Sequence, residues 1–216
     1  MRILFVVHRY APYPGGSEYY VQDMAEECLR RKHDVTVLAH EHQGDLNGVT
    51  VSNDYQQILN QPWNLIVVHG GDVISQNVIH INADKIKSPV LYLLVKPSDS
   101  DICVEGMKGH RFLGYSTSMD IEHLKKYGVL DKGRRVRHGI VPDLYLRNVM
   151  DKKKTIFVSA GGFYPHKAMT PLAEAFTAAN IPNAELHLYG YGFKEGMPAD
   201  THNVKCFFGR DKTDVL

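Results

Sequence analysis

Twice along this chain an apolar run stops at a glycine-bearing loop, a segment with helical spacing follows, and a second apolar run closes the unit. The first run, Ile3 to Val7, ends ahead of the Pro/Gly loop Ala11 to Gly16. Strands without polar alternation are buried on both faces, as in parallel sheets. Ser17 to Arg31 then reads as a helix, with Val21, Met24, Ala25, Cys28 and Leu29 on one stripe and Ser17 placed to cap it. Arg30, Arg31 and Lys32 gather at its C-terminal end, where the helix dipole favours cations. Val35 to Ala39 is the second strand. The second start runs through a strand at Thr155 to Ala160, the loop Gly161 to His166, a helix over Lys167 to Ala179, a strand over Glu185 to Tyr189 and the turn Gly190-Tyr191-Gly192. Two such starts predict an α/β protein with two Rossmann-like, doubly wound parallel-sheet domains.

The charged run Asp151 to Lys154 marks the expected boundary, giving domains over 1–151 and 152–216. Between the two starts, strands are expected at Val49–Val51, Leu65–Val68, Pro89–Val95, Arg111–Tyr115 and Val136–Val141. Helices are expected at Tyr55–Asn60, Val73–Ile81 and Ser116–Tyr127. The second domain holds one helix and three strands, the last at Val204–Phe208. Domains usually run to about 100–150 residues, so it reads as truncated. An exposed edge at Val204–Phe208 would invite pairing with another chain, which leaves an oligomer open.

A formal net charge of +1 gives no global pull toward nucleic acid. Locally, ten Lys or Arg stand against four Asp or Glu between Ile121 and Lys154. That strip is either a solvated linker or a basic flank for an anionic ligand or a membrane surface. Cys28, Cys103 and Cys206 form no Cys-x-x-Cys pair and no even framework, which points to a reducing compartment. The opening run is too short for a signal peptide and is interrupted by Arg9 and Pro12. A cytoplasmic protein is expected, with peripheral membrane contact left open.

Ligands of open α/β sheets sit outside the carboxyl ends of the strands. There the loop Tyr10 to Glu18 carries Gly15 and Gly16 directly before a helix. Adjacent glycines let the backbone approach a ligand, and the helix start favours a phosphate or a sugar hydroxyl; a purely steric turn is the alternative. The Gly-x-Gly-x-x-Gly dinucleotide fingerprint and the lysine-bearing phosphate loop are both missing, which disfavours a redox Rossmann enzyme. His40-Glu41-His42 lies on an extended segment whose side chains do not converge on a metal, and Asp99 and Asp101 read as a turn, so no metal is expected. Tyr10, Tyr13, Tyr19 and Tyr20 are either a sugar-stacking platform or core.

These motifs, in this order, resemble family 4 glycosyltransferases of the GT-B type. Pro12 to Glu18 fits their Pro-x-x-Gly-Gly-x-Glu loop, and Lys32-His33-Asp34-Val35-Thr36-Val37 fits the strand that follows. Tyr115-Ser116 and Val136 to Pro142 resemble the close of the first domain, with His138 at a usual Asn. Ser159 to Lys167 resembles the opening loop of the donor domain, with Leu172–Phe176 and Ala184–Gly192 after it. The resemblance implies transfer of a sugar from a nucleotide diphospho-sugar to a sugar, lipid-linked or glycan acceptor, with retention at the anomeric carbon. No resident cofactor is implied. Gly15, Gly16 and Glu18 would flank the cleft on the acceptor side, and Lys167 with the Gly161–Gly162 backbone would hold the diphosphate. A lysine there neutralises charge building on the leaving group.

Three departures from the family pattern stand out. Gly162 occupies the place of a diphosphate-binding Arg. The paired glutamates of the family's donor domain have no counterpart before Leu216. The residue at the family's histidine, after the strand ending at Val95, is Val95 itself, followed by Lys96, and His69 is the candidate for a similar role. The rival readings are a non-catalytic relic that keeps the fold to bind a partner, or another enzyme on the same fold, such as a sugar-nucleotide epimerase or a DNA glucosyltransferase.

Overall fold

A computed structural model describes residues 1–69, 79, 86–94, 104, 108–109, 112–137, 154–191 and 194–209. The chain divides into two compact units, Met1–Gly139 and Ile140–Leu216. The charged run at 151–153, taken as the boundary in the sequence, lies outside the described residues.

In the first unit the described strands are β1 (Arg2–Arg9), β2 (Asp34–Glu41), β3 (Thr50–Ser52), β4 (Leu65–His69), β5 (Val90–Leu93), β6 (Phe112–Tyr115) and β7 (Gly133–Arg135). They form one sheet in the order β3-β2-β1-β4-β5-β6-β7, and every pair is parallel. The described helices are α1 (Gly16–Arg30), α2 (Tyr55–Leu59) and α3 (Ser118–Lys126). β1 lies between β2 and β4, with Ile3 opposite both Val35 and Leu65. The alternation of β1 feeds two cores. Leu4 and Val6 pack with Leu38, Ile66 and Val68. Ile3, Phe5 and Val7 pack with Val35, Val37 and the α1 residues Val21 and Ala25. An apolar run without polar alternation is what a strand covered on both faces requires.

One local expectation for this unit is corrected. Ser17 does not cap α1: the helix begins at Gly16, so Ser17 lies inside its first turn and the N-cap is Gly15, without a side-chain cap bond. Of the strand expected at Val136–Val141 only Val136 and Arg137 are described; the Val136 amide donates to the Tyr115 carbonyl at 2.7 Å, and the strand just before it is Gly133–Arg135. This is the outermost strand, and its Arg134 and Arg135 are exposed, so the two-faced apolar signal of interior strands is missing. The helix expected at Val73–Ile81 lies outside the described residues apart from Ile79, which is buried in the core of Leu4 and Val68.

The second unit contains β8 (Thr155–Gly162), α4 (Met169–Ala179), β9 (Ala184–Tyr191) and β10 (Val204–Phe208), with 3-10 turns at Pro165–Lys167 and Lys194–Gly196. Its described strands form a parallel sheet in the order β10-β9-β8. α4 covers one face, where Phe163, Met169, Ala173 and Phe176 meet Ala184, Leu186, Leu188 and Val204. Lys167 does not open this helix as expected. Ala168 adopts a left-handed φ of 53°, which separates the proline-started 3-10 turn from α4. Among the described residues no helix is long and apolar enough to cross a membrane.

Candidate functional site

The strand order of the first unit reverses direction between β1 and β4, and ligand crevices of open α/β sheets form at the carboxyl ends of the strands flanking such a point. The loop after β1 carries the glycine pair, and β4 ends at His69. The topology therefore brings together two features more than fifty residues apart in sequence. Tyr20, in the first turns of α1, joins them: its ring lies 5.3 Å from the His69 imidazole. His69 is only 4% exposed. Both line a small pocket with Leu93, Gly114, Tyr115 and Val136, with room for about one water molecule.

The two glycines of the loop differ physically. A Cβ on Gly15 would run into the Glu18 carboxylate. A Cβ on Gly16 would meet nothing within 4 Å. Gly15 is thus demanded by packing within the turn, whereas Gly16 leaves its backbone open to an incoming group. Glu18 is 6% exposed and accepts a hydrogen bond from Arg9 Nε at 3.0 Å. It is folded under the turn and braces it, with its carboxylate directed to Arg9. The tyrosines divide likewise. Tyr10 is fully buried in the α1-side core, where burial pushes its hydroxyl pKa up, while Tyr13, Tyr19 and Tyr20 are part-buried. Near the carboxyl end of β1, His8 stacks on His40 at 5.5 Å, and His40 Nδ1 lies 2.7 Å from the Tyr55 hydroxyl. His42 Nδ1 accepts from the Gly44 amide. Among the described residues no cluster of three His, Cys, Asp or Glu is arranged to hold a metal. Asp99 and Asp101 lie outside the described residues.

In the second unit, Gly161 and Gly162 end β8, and Lys167 closes the 3-10 turn beyond it. Lys167 is exposed and makes no ion pair among the described residues. A Cβ on Gly162 would enter the Tyr164 ring. The expected Arg is therefore replaced by a glycine that admits an aromatic side chain. Tyr164 stacks on His166 at 5.8 Å and meets Tyr191 edge-on at 6.2 Å. This aromatic group beside Lys167 was not singled out in the sequence. Its signal was present in the spacing Tyr164-Pro165-His166, but Tyr191 joins it only through the pairing of β8 with β9. The basic strip before this unit is partly satisfied internally: Lys125 pairs with Glu122, Arg134 donates to the carbonyls of Asp131 and Gly133, and Lys154 pairs with Glu185.

No family model matches the chain, and no curated protein matches it. Solved structures do. HepE of Anabaena, in complex with UDP and glucose, is 16% identical with a TM-score of 0.68, over 98% of this chain and 70% of that one. WaaG, a glycosyltransferase involved in lipopolysaccharide biosynthesis, is 15% identical with a TM-score of 0.63, over 97% and 70%. The catalytic domain of starch synthase IV from Arabidopsis thaliana, bound to ADP and acarbose, is 9% identical with a TM-score of 0.66, over 98% and 75%. The chain has the GT-B fold of these glycosyltransferases.

Proposed function

We propose that this protein transfers a sugar from a nucleotide diphospho-sugar to an acceptor hydroxyl, as a relative of the family 4 enzymes. The observation that carries the reading is Lys167, an exposed cation without an ion pair among the described residues, on the turn that follows the glycine end of β8. A compact ammonium there suits a diphosphate, on which negative charge grows as the bond from the anomeric carbon to the phosphate oxygen breaks. The Gly161–Gly162 backbone lies alongside, and the Tyr164–His166 stack offers a flat surface for a base or sugar ring.

The first unit, Met1–Gly139, would serve the acceptor side. There the open backbone of Gly16 suits a hydroxyl or phosphate, and His69 is the group able to take the acceptor proton. Glu18 acts by bracing Gly15. The acceptor is a sugar, a lipid-linked sugar or a glycan. Transfer proceeds with retention, in the cytoplasm and without a resident cofactor, as the family resemblance implies. The HepE complex contains UDP and glucose, which supports a nucleotide-sugar donor.

Titration calorimetry with UDP-, GDP- and ADP-sugars tests this. We expect one nucleotide class to bind, and Lys167→Ala to weaken that binding by about tenfold, as expected from loss of a charge-assisted contact. A folded chain that binds none of them would refute the assignment. Gly162 in place of the expected Arg favours one rival, a binding protein that keeps the fold without catalysis. Sugar-nucleotide binding without any turnover would identify it.

A further inference from the structure

The apolar run of β1 ends on a charge. Arg9 lies on the face that β1 turns to α1: Ile3, Phe5 and Val7 pack in the α1-side core, and Arg9 continues their alternation to reach Glu18 of α1. His69 stands on the same face of the neighbouring strand. Val67, two residues before it, lies in that core, and the His69 ring meets Tyr20 of α1. Val6 pairs with Val68, so the register carries Val7 opposite His69 and sets Arg9 two residues beyond. At the rise of a strand that is about 7 Å, a span that one sugar ring bridges.

Arg9 makes half of the contact that a guanidinium can make. Its N–H donors form a fixed fork that matches a carboxylate at both oxygens. Arg30 uses the fork in full: Nε and Nη2 each donate at 2.7 Å to a different oxygen of Glu27. Arg9 donates to Glu18 through Nε alone, at 3.0 Å, onto Oε1. The other oxygen, Oε2, lies under Gly15, where a Cβ would strike it. Glu41, opposite Arg9 on β2, is engaged by His8, whose Nε2 lies 3.5 Å from its carboxylate. The Nη groups of Arg9 thus have no acceptor among the described residues, on a side chain that is 39% exposed. The Nε bond to a buried carboxylate fixes the plane of the guanidinium before any ligand arrives.

We propose that Arg9 selects an acceptor that carries an oxyanion, a phosphate or a carboxylate, about one sugar ring away from the hydroxyl that reacts. The proposal rests on reading the first unit as the acceptor half of the site. The anion accepts from the Nη groups while the hydroxyl faces His69. A neutral sugar forgoes that charge-assisted contact. Arg9 and Glu18 together carry no net charge, so the selection comes from the direction of the donors rather than from a general attraction for anions.

The probes are glucose, glucose 6-phosphate and glucuronate, titrated without nucleotide and followed at the imidazole resonances of His69. We expect at least one of the two anions to bind about tenfold or more tighter than glucose. The tighter of the two tells phosphate from carboxylate. Arg9→Gln alone would strand the buried Glu18 carboxylate, so the deciding variant combines Arg9→Gln with Glu18→Gln. It should bring the anion down to the affinity of glucose and leave glucose unchanged. Arg9→Lys, which keeps a cation for Glu18 without the fork, should lose most of the preference. Glu18→Gln alone and Lys167→Ala should both keep it. Anions that bind no better than glucose overturn the proposal, as does a preference that survives in both Arg9 variants. A preference lost in Lys167→Ala instead assigns the anion to the turn after β8 and overturns it too. Nucleotide-sugars are titrated separately, so failure here is distinct from failure of the donor-site reading.

Discussion

Single residues decide how the first loop works. Gly15→Ala sets a methyl group against a buried carboxylate, so we expect thermal unfolding to report a loss of about 1–3 kcal/mol. Gly16→Ala meets open space and should leave stability within about 0.5 kcal/mol. It should instead weaken whichever ligand approaches that backbone, which acceptor or nucleotide-sugar titrations can read. Tyr10 offers the opposite case. Its hydroxyl is buried without a hydrogen-bond partner among the described residues, an arrangement that burdens the folded state. Tyr10→Phe keeps the ring and drops the orphan group. We expect it to raise stability by about 1 kcal/mol in denaturant titration.

At the scale of elements, β9 carries the most strongly charged arrangement described in the second unit. Lys154 foremost, then His187 and Lys205, hold the Glu185 carboxyl down at about 2, against an ordinary 4.5. A carboxyl depressed on folding contributes stability that is complete above its unfolded pKa and is lost as pH falls toward the folded one. Stability of this unit should therefore decline between about pH 4.5 and 2, as far as Glu185 is concerned, and Glu185→Gln should flatten that part of the profile. Circular dichroism melts across that range check it. The elements themselves were largely legible. β1, α1 and β2 appear where their apolar runs and helical stripe indicate, because each buries what it displays; β8 and β10 also appear where their apolar runs indicate, although Ile156, Phe157, Val158 and Phe208 stay exposed. The starts and edges were not. Ser17 looked like a cap because cap preference is local, whereas the true start depends on where the Glu18 carboxylate comes to rest. Lys167 looked helical because nothing in its composition announces the left-handed Ala168. β7 was not anticipated because an edge strand with two arginines lacks the two-faced apolar signal. The link between the β1 loop and His69 could be read only after strand order was known, since no spacing rule joins them.

The molecule as a whole is two compact units on one chain, and each should respond to its own damage. Leu188 is fully buried against α4, so Leu188→Ala should cost about 2–5 kcal/mol and speed amide exchange in β9 while leaving β1 protection unchanged. Equal loosening of β1 would show that the two units unfold as one. The order β3-β2-β1-β4 has a further consequence, for synthesis. A ribosome delivers the chain from its amino end, and β1 is delivered first. Half of its pairing waits for β2 and the other half for β4, whose Leu65 lies opposite Ile3. A strand covered on both faces is thus the earliest made of its sheet, and it stays half-paired until β4 is delivered. During that interval Ile3 to Val7 is a nascent segment in need of shelter, and the tunnel or a chaperone is its natural company.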